Sequence, residues 1–514
     1  MTTALTRPLW LSAERTGDDW FSTDVPATQQ DVVVVGAGIT GLTTALCLLR
    51  EGRQVLVIDR EGIGAGETLR TSAHLASALD DRFYTLARWH GEDGARLAAA
   101  SHAAAIDWIE EIASASDADC GFRRIPGYLF PHDGKTDRLE DEEEAARNAG
   151  LSAVLLPAGA ETPDVLGPVL RFDRQARVDA GAYLLALAKE VRDAGGRFLR
   201  AEMVNIEGGA APRVVLRNGE LRARAVVAAT NVPSHETGAT WMKQAAYRSY
   251  VVVGHLPAEA VSPDGVPDAL LWDDADPYHY IRIHESDPAS GMVEIIAGGE
   301  DHKTGQDDDP EAYKRLQAWT RERFPQVAKF THGWSGQIIE PVDGLAFIGR
   351  DPAHENVYLA TGDSGNGLTH GTLAGLLITD LIAGRDNPWA DLYDPARKPV
   401  HAGGEWLREN SNAALQFRDW VKPADAADVE SLALGTGAVL RRGVHRIAVY
   451  RDGEGQVHAF NARCPHMGCV VRWSGEEKSW DCPCHGSRFE AATGAILNGP
   501  TSEPLAPMDP GLVR

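Results

Sequence analysis

The first strong pattern in the chain is a run of β-branched apolar residues, Val32-Val33-Val34-Val35, set between Asp31 and Gly36. A continuous apolar run this short predicts a strand buried on both faces. Leu42 to Arg50 reads as a helix, and Val55-Leu56-Val57-Ile58 predicts a second strand ending at Asp59. Far downstream, Asn356–Ala360 predicts another strand. A loop rich in small residues, Thr361–Gly371, and a helix over 372–382 follow it, and Gly384 stops the helix. Tyr280-Ile281-Arg282-Ile283-His284 alternates with a strand period. The mixed pattern over 405–421 suits a helix ended by Lys422-Pro423, and Asp425–Asp428 is a polar joint. From Val429 the pattern changes to short strands with glycine turns, as in Ile447–Tyr450 before Asp452-Gly453, and predicts a small β domain.

Between the first strand and helix stands Gly36-Ala37-Gly38-Ile39-Thr40-Gly41. In the order strand, G-x-G-x-x-G, helix, strand, acid, these glycines let the backbone turn tightly and approach a pyrophosphate at the helix N-terminus. Asp59 is placed for ribose hydroxyls. The small and hydroxyl residues of Gly64–His74, with Arg60 before them, suit close contact with the rest of an extended cofactor. Amides at the start of the 372–382 helix suit the anionic edge of a reduced flavin.

Composition narrows the field. The length of 514 residues suggests about three domains, or one large and one small. With 43% hydrophobic and 24% charged residues, the chain can bury a real core. Fifty Lys and Arg against 74 Asp and Glu leave a net charge of −24, which excludes the basic surface of a nucleic-acid binder. No apolar run is long enough for a membrane span, and Met1–Gln30 lacks the pattern of a signal peptide, so a cytoplasmic protein is expected.

Of six cysteines, Cys47 and Cys120 stand alone, while Cys464, Cys469, Cys482 and Cys484 crowd one corner. That clustering reads as a metal site. Cys464-Pro465-His466 and Cys482-Pro483-Cys484-His485 supply two thiolates and two imidazoles, suited to a structural zinc or to a [2Fe–2S] cluster with His₂ replacing Cys₂ on one iron. The flanks of these loops, with Ser487, Asn498-Gly499-Pro500 and Pro504-Leu505, resemble Rieske proteins of the cytochrome bc type. That resemblance implies Cys464 and Cys482 on one iron, His466 and His485 on the other, and a Cys469–Cys484 disulfide. Phe489 stands where high-potential members carry a tyrosine, implying one hydrogen bond fewer to the cluster.

Residues 31–395 resemble the D-amino-acid oxidase-like family of FAD-dependent oxidoreductases, through Gly36, Gly38 and Gly41 with Asp59 and the loop Thr361–Gly371 after Pro341-Val342-Asp343-Gly344. The implied fold is an α/β FAD-binding (Rossmann-like) domain with an interleaved α+β substrate domain, followed by a small all-β Rieske domain. We set the boundaries at 1–30 for an N-terminal extension and 31–395 for the flavin domain, with its substrate subdomain at about 80–180 and 235–340. A linker then covers 396–425 and the Rieske domain 426–514.

Expected FAD contacts are Gly36, Gly38, Gly41, Asp59, Arg60, Thr71, Ser72, Ala73, His74, Val204, Thr230, Gly362, Gly365, Asn366, Gly367, Leu368 and Thr369. Thr369 stands where monomeric sarcosine oxidases place a carboxylate-binding lysine, so an α-carboxylate would need Arg282 or Arg248 instead. No flavin-linking cysteine occurs near Ser335, so FAD is expected to be non-covalent.

His370 is the expected acid/base or orienting group. Tyr278, His279, Tyr280, Trp272, His302 and Arg282 are candidates to line the substrate pocket. Asp276, His279 and His284 also fit the spacing of a mononuclear-iron site, but their place on a strand favours the substrate domain. The resemblance implies oxidation of an amine or amino acid at a C–N bond, with electrons passing from FAD through the cluster to an external acceptor protein. The alternatives are an oxidase reducing O₂ and a non-catalytic electron-transfer partner.

Overall fold

The computed structural model describes residues 8–11, 17–235, 240–306, 310–509 and 511. The remainder of the expected N-terminal extension lies outside them. Within them, Trp10 is buried in the core of the large domain, and Phe21–Ser22 adds an edge strand beside Arg197–Arg200.

The valine run forms the strand Gln30–Val35, which pairs in parallel with Val55–Asp59 on one side and Gly219–Ala228 on the other. Beyond these lie Arg197–Arg200 at one side, and Val357–Thr361 with Phe347–Arg350 at the other. Strand period divides the run between two cores. Val32, Val34, Val55 and Val57 pack toward the helices, whereas Val33, Val35, Leu56 and Ile58 pack into a separate cluster with Ile206 and Val214 of the antiparallel strands Met203–Glu207 and Arg213–Leu216. The helices Ile39–Arg50 and Gly367–Ala383 lie against each other over the first face. Gly371 and Gly375 permit that approach, since a Cβ there would lie 2.7 and 2.6 Å from side-chain atoms of Ile39 and Thr43.

A second, mostly antiparallel sheet draws its strands from two stretches of chain, 74–177 and 244–341. Long strands Gln244–Pro257, Met292–Lys303 and Lys329–Pro341 form one end, and Arg123–Phe130 with Val169–Arg177 form much of the other. The helix Gly403–Leu415 and the 3₁₀ turn Gln416–Trp420 connect to two small antiparallel sheets. These are Thr436–Arg442, His445–Arg451 and Val457–Asn461, then Arg472–Ser474, Ser479–Asp481, Arg488–Glu490 and Ile496–Asn498. Among the described residues no helix is long and apolar enough to cross a membrane.

Candidate functional site

One continuous cavity runs from the carboxyl ends of the parallel strands to the second sheet. Gly36, Gly38, Asp59, Arg60 and Thr230 line its first part, and Thr71, Ser72 and His74 continue it. Gly362, Gly365, Asn366, Gly367 and Leu368 border it at the late loop, opposite Trp272, Tyr278 and Tyr280 from the second sheet.

The glycines divide the work. Gly36 has φ 113°, and a Cβ there would lie 2.3 Å from the Ala229 carbonyl oxygen; one on Gly41 would lie 1.9 Å from the Gly36 carbonyl. Gly41 therefore sets the packing of loop on helix, and Gly38 alone of the helix-start pair faces the cavity. Asp59 accepts hydrogen bonds from the Ala37, Glu61 and Gly62 amides, each 2.8–2.9 Å, and so fixes the turn while bordering the cavity.

The residues suit FAD. Two helix N-termini open on the cavity, and neither N-cap, Gly38 or Asn366, closes its helix with a side chain. One is suited to a pyrophosphate and the other to an anionic ring edge.

Several expected contacts lie elsewhere. Ala73 and Thr369 are buried away from the cavity, the latter because its hydroxyl packs on His102 Nδ1 at 2.8 Å. Val204 is likewise off the lining, where its neighbours Ala201, Glu202 and Met203 take the place expected of it.

The proposed catalytic groups fare unevenly. Tyr278 borders the cavity and donates its hydroxyl to Asp80 Oδ2 at 2.9 Å. Burial raises the Asp80 carboxyl above its ordinary value, and Asp81 beside it is pushed up to about 6. His370 also reaches the cavity, but Nδ1 donates to the Asp363 carbonyl at 2.8 Å and Nε2 meets His102 Nε2 at 3.2 Å. Burial lowers its pKa to about 4, so the ring is neutral at pH 7, and both nitrogens are engaged within the protein. Its hydrogen bonds thus serve to hold the late loop on the Phe83–Ala115 helix rather than to present an acid or base.

His279 and Arg282 are corrections. His279 is stacked on Trp319 at 4.4 Å between ring centroids and bonded to Asp273 and Glu300, each 3.2 Å away, outside the cavity. Arg282 is fully buried and donates to the carbonyls of Ser72, Ile283 and Val178, which ties three separate segments together. Arg248 is buried as well, against Glu477 of the small domain. Neither arginine lines the cavity. His302 is off the cavity, beside Tyr250, and His279 and His284 sit five residues apart on one strand, on opposite faces, with separate partners. Residues that sequence reasoning missed are Asp80, Arg70 and Gln337 on the cavity wall and Trp241 at the small domain.

At the second centre, loops 464–469 and 482–487 bring the Cys464 and Cys482 thiols into mutual hydrogen-bond contact. That contact lowers the Cys464 thiol and raises the Cys482 thiol, because the two sulfurs share a proton. Backbone amides of His466 and Met467, and the Ser487 hydroxyl, also point at the Cys464 sulfur. His466 and His485 lie 5.0 Å apart between centroids, and both Nδ1 atoms are buried without a hydrogen-bond partner. Burial keeps both imidazoles neutral, His485 at about 3. Two adjacent sulfurs and two orphaned ring nitrogens are the donor set of a [2Fe–2S] cluster with mixed ligation. Cys469 and Cys484 form a disulfide beside it.

A family model described as FAD dependent oxidoreductase matches residues 31–381, and one for the Rieske [2Fe-2S] domain matches 419–509. The chain belongs to the FAD-dependent oxidoreductase family. It carries FAD and, in its C-terminal domain, a Rieske cluster. Among relatives, the chain is 27% identical over 509 residues to YhfW of Bacillus subtilis, a protein named for a Rieske 2Fe-2S centre, covering 95% of this chain and 96% of that one. It is 26% identical to gamma-glutamylputrescine oxidoreductase of Escherichia coli, over 74% of this chain and 89% of that one. Glycine oxidase from Geobacillus kaustophilus shares the fold of the large domain at a TM-score of 0.58, with 18% identity, 72% of this chain and all of that one.

The two domains of this FAD-dependent oxidoreductase meet over named contacts. Glu477 accepts hydrogen bonds from Arg248 at 2.9 Å and from Ser335, both of the flavin domain, and from Arg488 at 3.3 Å. Burial raises its pKa, but the two guanidinium groups outweigh that and hold the carboxyl at about 2 rather than 4.5. A depressed carboxyl contributes stability that is present above its unfolded pKa and lost as pH falls through its folded one. The difference in melting temperature between wild type and Glu477→Gln is therefore expected to be constant from pH 7 to about 5 and to disappear toward pH 2. A difference independent of pH would show that the ion pair does not stabilise the contact.

Proposed function

We propose that the chain oxidises a cationic amine at a C–N bond and delivers the electrons through its Rieske centre to a one-electron acceptor protein of the cytoplasm. The substrate carbon loses a hydride equivalent and its nitrogen a proton. The resulting imine is hydrolysed by water to a carbonyl compound and ammonia or a smaller amine. FAD, when bound, accepts the two electrons, and the cluster passes them on singly.

The observation that carries the relay is Gln337. It lines the flavin cavity and donates its side-chain N–H to the Gly486 carbonyl at 2.7 Å, next to the cluster ligand His485. Trp241 of the flavin domain supports the same reading, because its ring lies edge-on to His466 and His485 at 5.6 and 4.8 Å. The imidazole edge of the cluster thus faces the chain's own flavin domain.

On the substrate side, Asp80, Tyr278, Tyr280 and Trp272 give the cavity an acidic and aromatic end suited to an ammonium group. Arg248 and Arg282, the candidate carboxylate partners, lie off the cavity lining. The likeness to a relative named for gamma-glutamylputrescine is in keeping with an amine.

Anaerobic titration with a panel of amines and amino acids, followed by flavin bleaching and low-temperature EPR, tests this reading. Bleaching together with a growing Rieske signal is expected for amines. Bleaching with a silent cluster would replace the relay by an oxidase, and no bleaching by any compound would replace catalysis by partner-fed electron transfer. Asp80→Asn is expected to raise KM for a cationic amine about tenfold, the loss of one charge-assisted contact worth ~1.4 kcal/mol. An unchanged KM would remove Asp80 from substrate binding.

A further inference from the structure

We infer that the Rieske domain supplies part of the FAD site, with segment 496–502 forming the wall against the adenosine end of the dinucleotide. Ile496, Leu497, Asn498, Gly499, Thr501 and Ser502 line the same continuous cavity as Gly38, although they lie more than 400 residues away in sequence. The cavity there is bounded by Arg60 and Glu61, which follow the strand Val55–Asp59, and by Ala201, Glu202 and Met203, which follow Arg197–Arg200. In a parallel dinucleotide-binding sheet this end of the crevice takes the adenosine.

The segment is built into place. Arg60 Nη2 donates to the Leu497 carbonyl at 2.8 Å, and Asn498 Nδ2 donates to Glu67 Oε1 at 2.7 Å. Glu67 in turn accepts the Gln337 amide through its other oxygen at 2.8 Å, so one carboxylate joins the Rieske segment to the cavity wall. Gly499 lies so near Val232 that a Cβ there would be 3.2 Å from the Val232 carbonyl oxygen. On the cluster side, the Thr501 amide donates to Ser487 Oγ at 3.3 Å, which anchors the segment to the ligand loop. Leu497 and Ser502 border the cavity, and Ile496, which also borders it, packs against the core of the small domain.

The inference rests on FAD filling this cavity, and the test separates the two statements. Hydrogen exchange is compared between FAD-loaded and deflavinated full-length protein, both with the cluster intact. Amides in 496–502 are expected to exchange at least tenfold more slowly with FAD, as are those in 36–39. Slowing at 36–39 with none at 496–502 would overturn the inference and leave the FAD site standing. Slowing at neither would overturn both. In addition, Asn498→Ala is expected to raise the FAD Kd about tenfold, read by flavin fluorescence, while the reduced protein keeps its Rieske EPR signal. A Kd unchanged by that substitution would likewise overturn the inference.

Discussion

Gly38→Val is expected to reduce FAD affinity by at least a hundredfold, a loss of ~2.8 kcal/mol or more. The position is the one glycine of the motif whose missing side chain faces the cavity. A Cβ there would come within 2.8 Å of Thr68 Oγ1, the atom that accepts the Ile39 amide at 3.1 Å. Valine adds two further methyl groups at the N-terminus of the Ile39–Arg50 helix, where the pyrophosphate needs bare backbone. The fold itself should survive, because the atom crowded at Gly38 is a side-chain hydroxyl that can rotate away, whereas Gly36 and Gly41 pack on the backbone carbonyls of Ala229 and Gly36. Flavin content by absorbance after purification and reconstitution, with circular dichroism as the check on folding, measures this. Normal flavin content in a folded variant would show that the pyrophosphate lies elsewhere.

What the sequence made legible is local. Four consecutive valines specify a strand buried on both faces, and the structure divides them alternately between two cores. Two short Cys/His spacings specify two ligand loops because each loop is contiguous. Arg282 was misread for the opposite reason. Alternation places it on a strand, but whether it meets substrate or backbone depends on Ser72 and Val178, which lie 210 and 104 residues away. His370 falls in the stretch the pattern singled out as a loop, which the structure makes the first turn of the Gly367–Ala383 helix, and its partner His102 is 268 residues off on a helix with no motif. Trp241 and segment 496–502 were hidden similarly. Their roles come from the way one domain docks on another, and neither hydrophobic period nor spacing within a domain encodes that contact.

Cys482→Ser is expected to remove the Rieske EPR signal entirely while leaving flavin in place, and so to split the reaction in two. Serine is a poor replacement for a soft thiolate ligand, and the remaining Cys464, His466 and His485 cannot complete the set. The domain should still hold its shape. Its core includes Trp480, Phe489 and Val471, the Cys469–Cys484 disulfide joins the loops, and the Cys482 amide still donates to the Ser487 carbonyl at 2.8 Å. Segment 496–502 keeps its bonds to Arg60 and Glu67, so the cavity wall is preserved. Stopped-flow measurement should then show flavin bleaching by the amine at close to the wild-type rate, with reduction of an external one-electron acceptor protein falling at least a hundredfold. Acceptor reduction at the wild-type rate would mean that electrons leave from the flavin directly and that the cluster is no part of the route. Loss of flavin along with the cluster would mean that the Rieske fold depends on its metal, and that the contact through Glu67 and Arg60 cannot hold the wall alone.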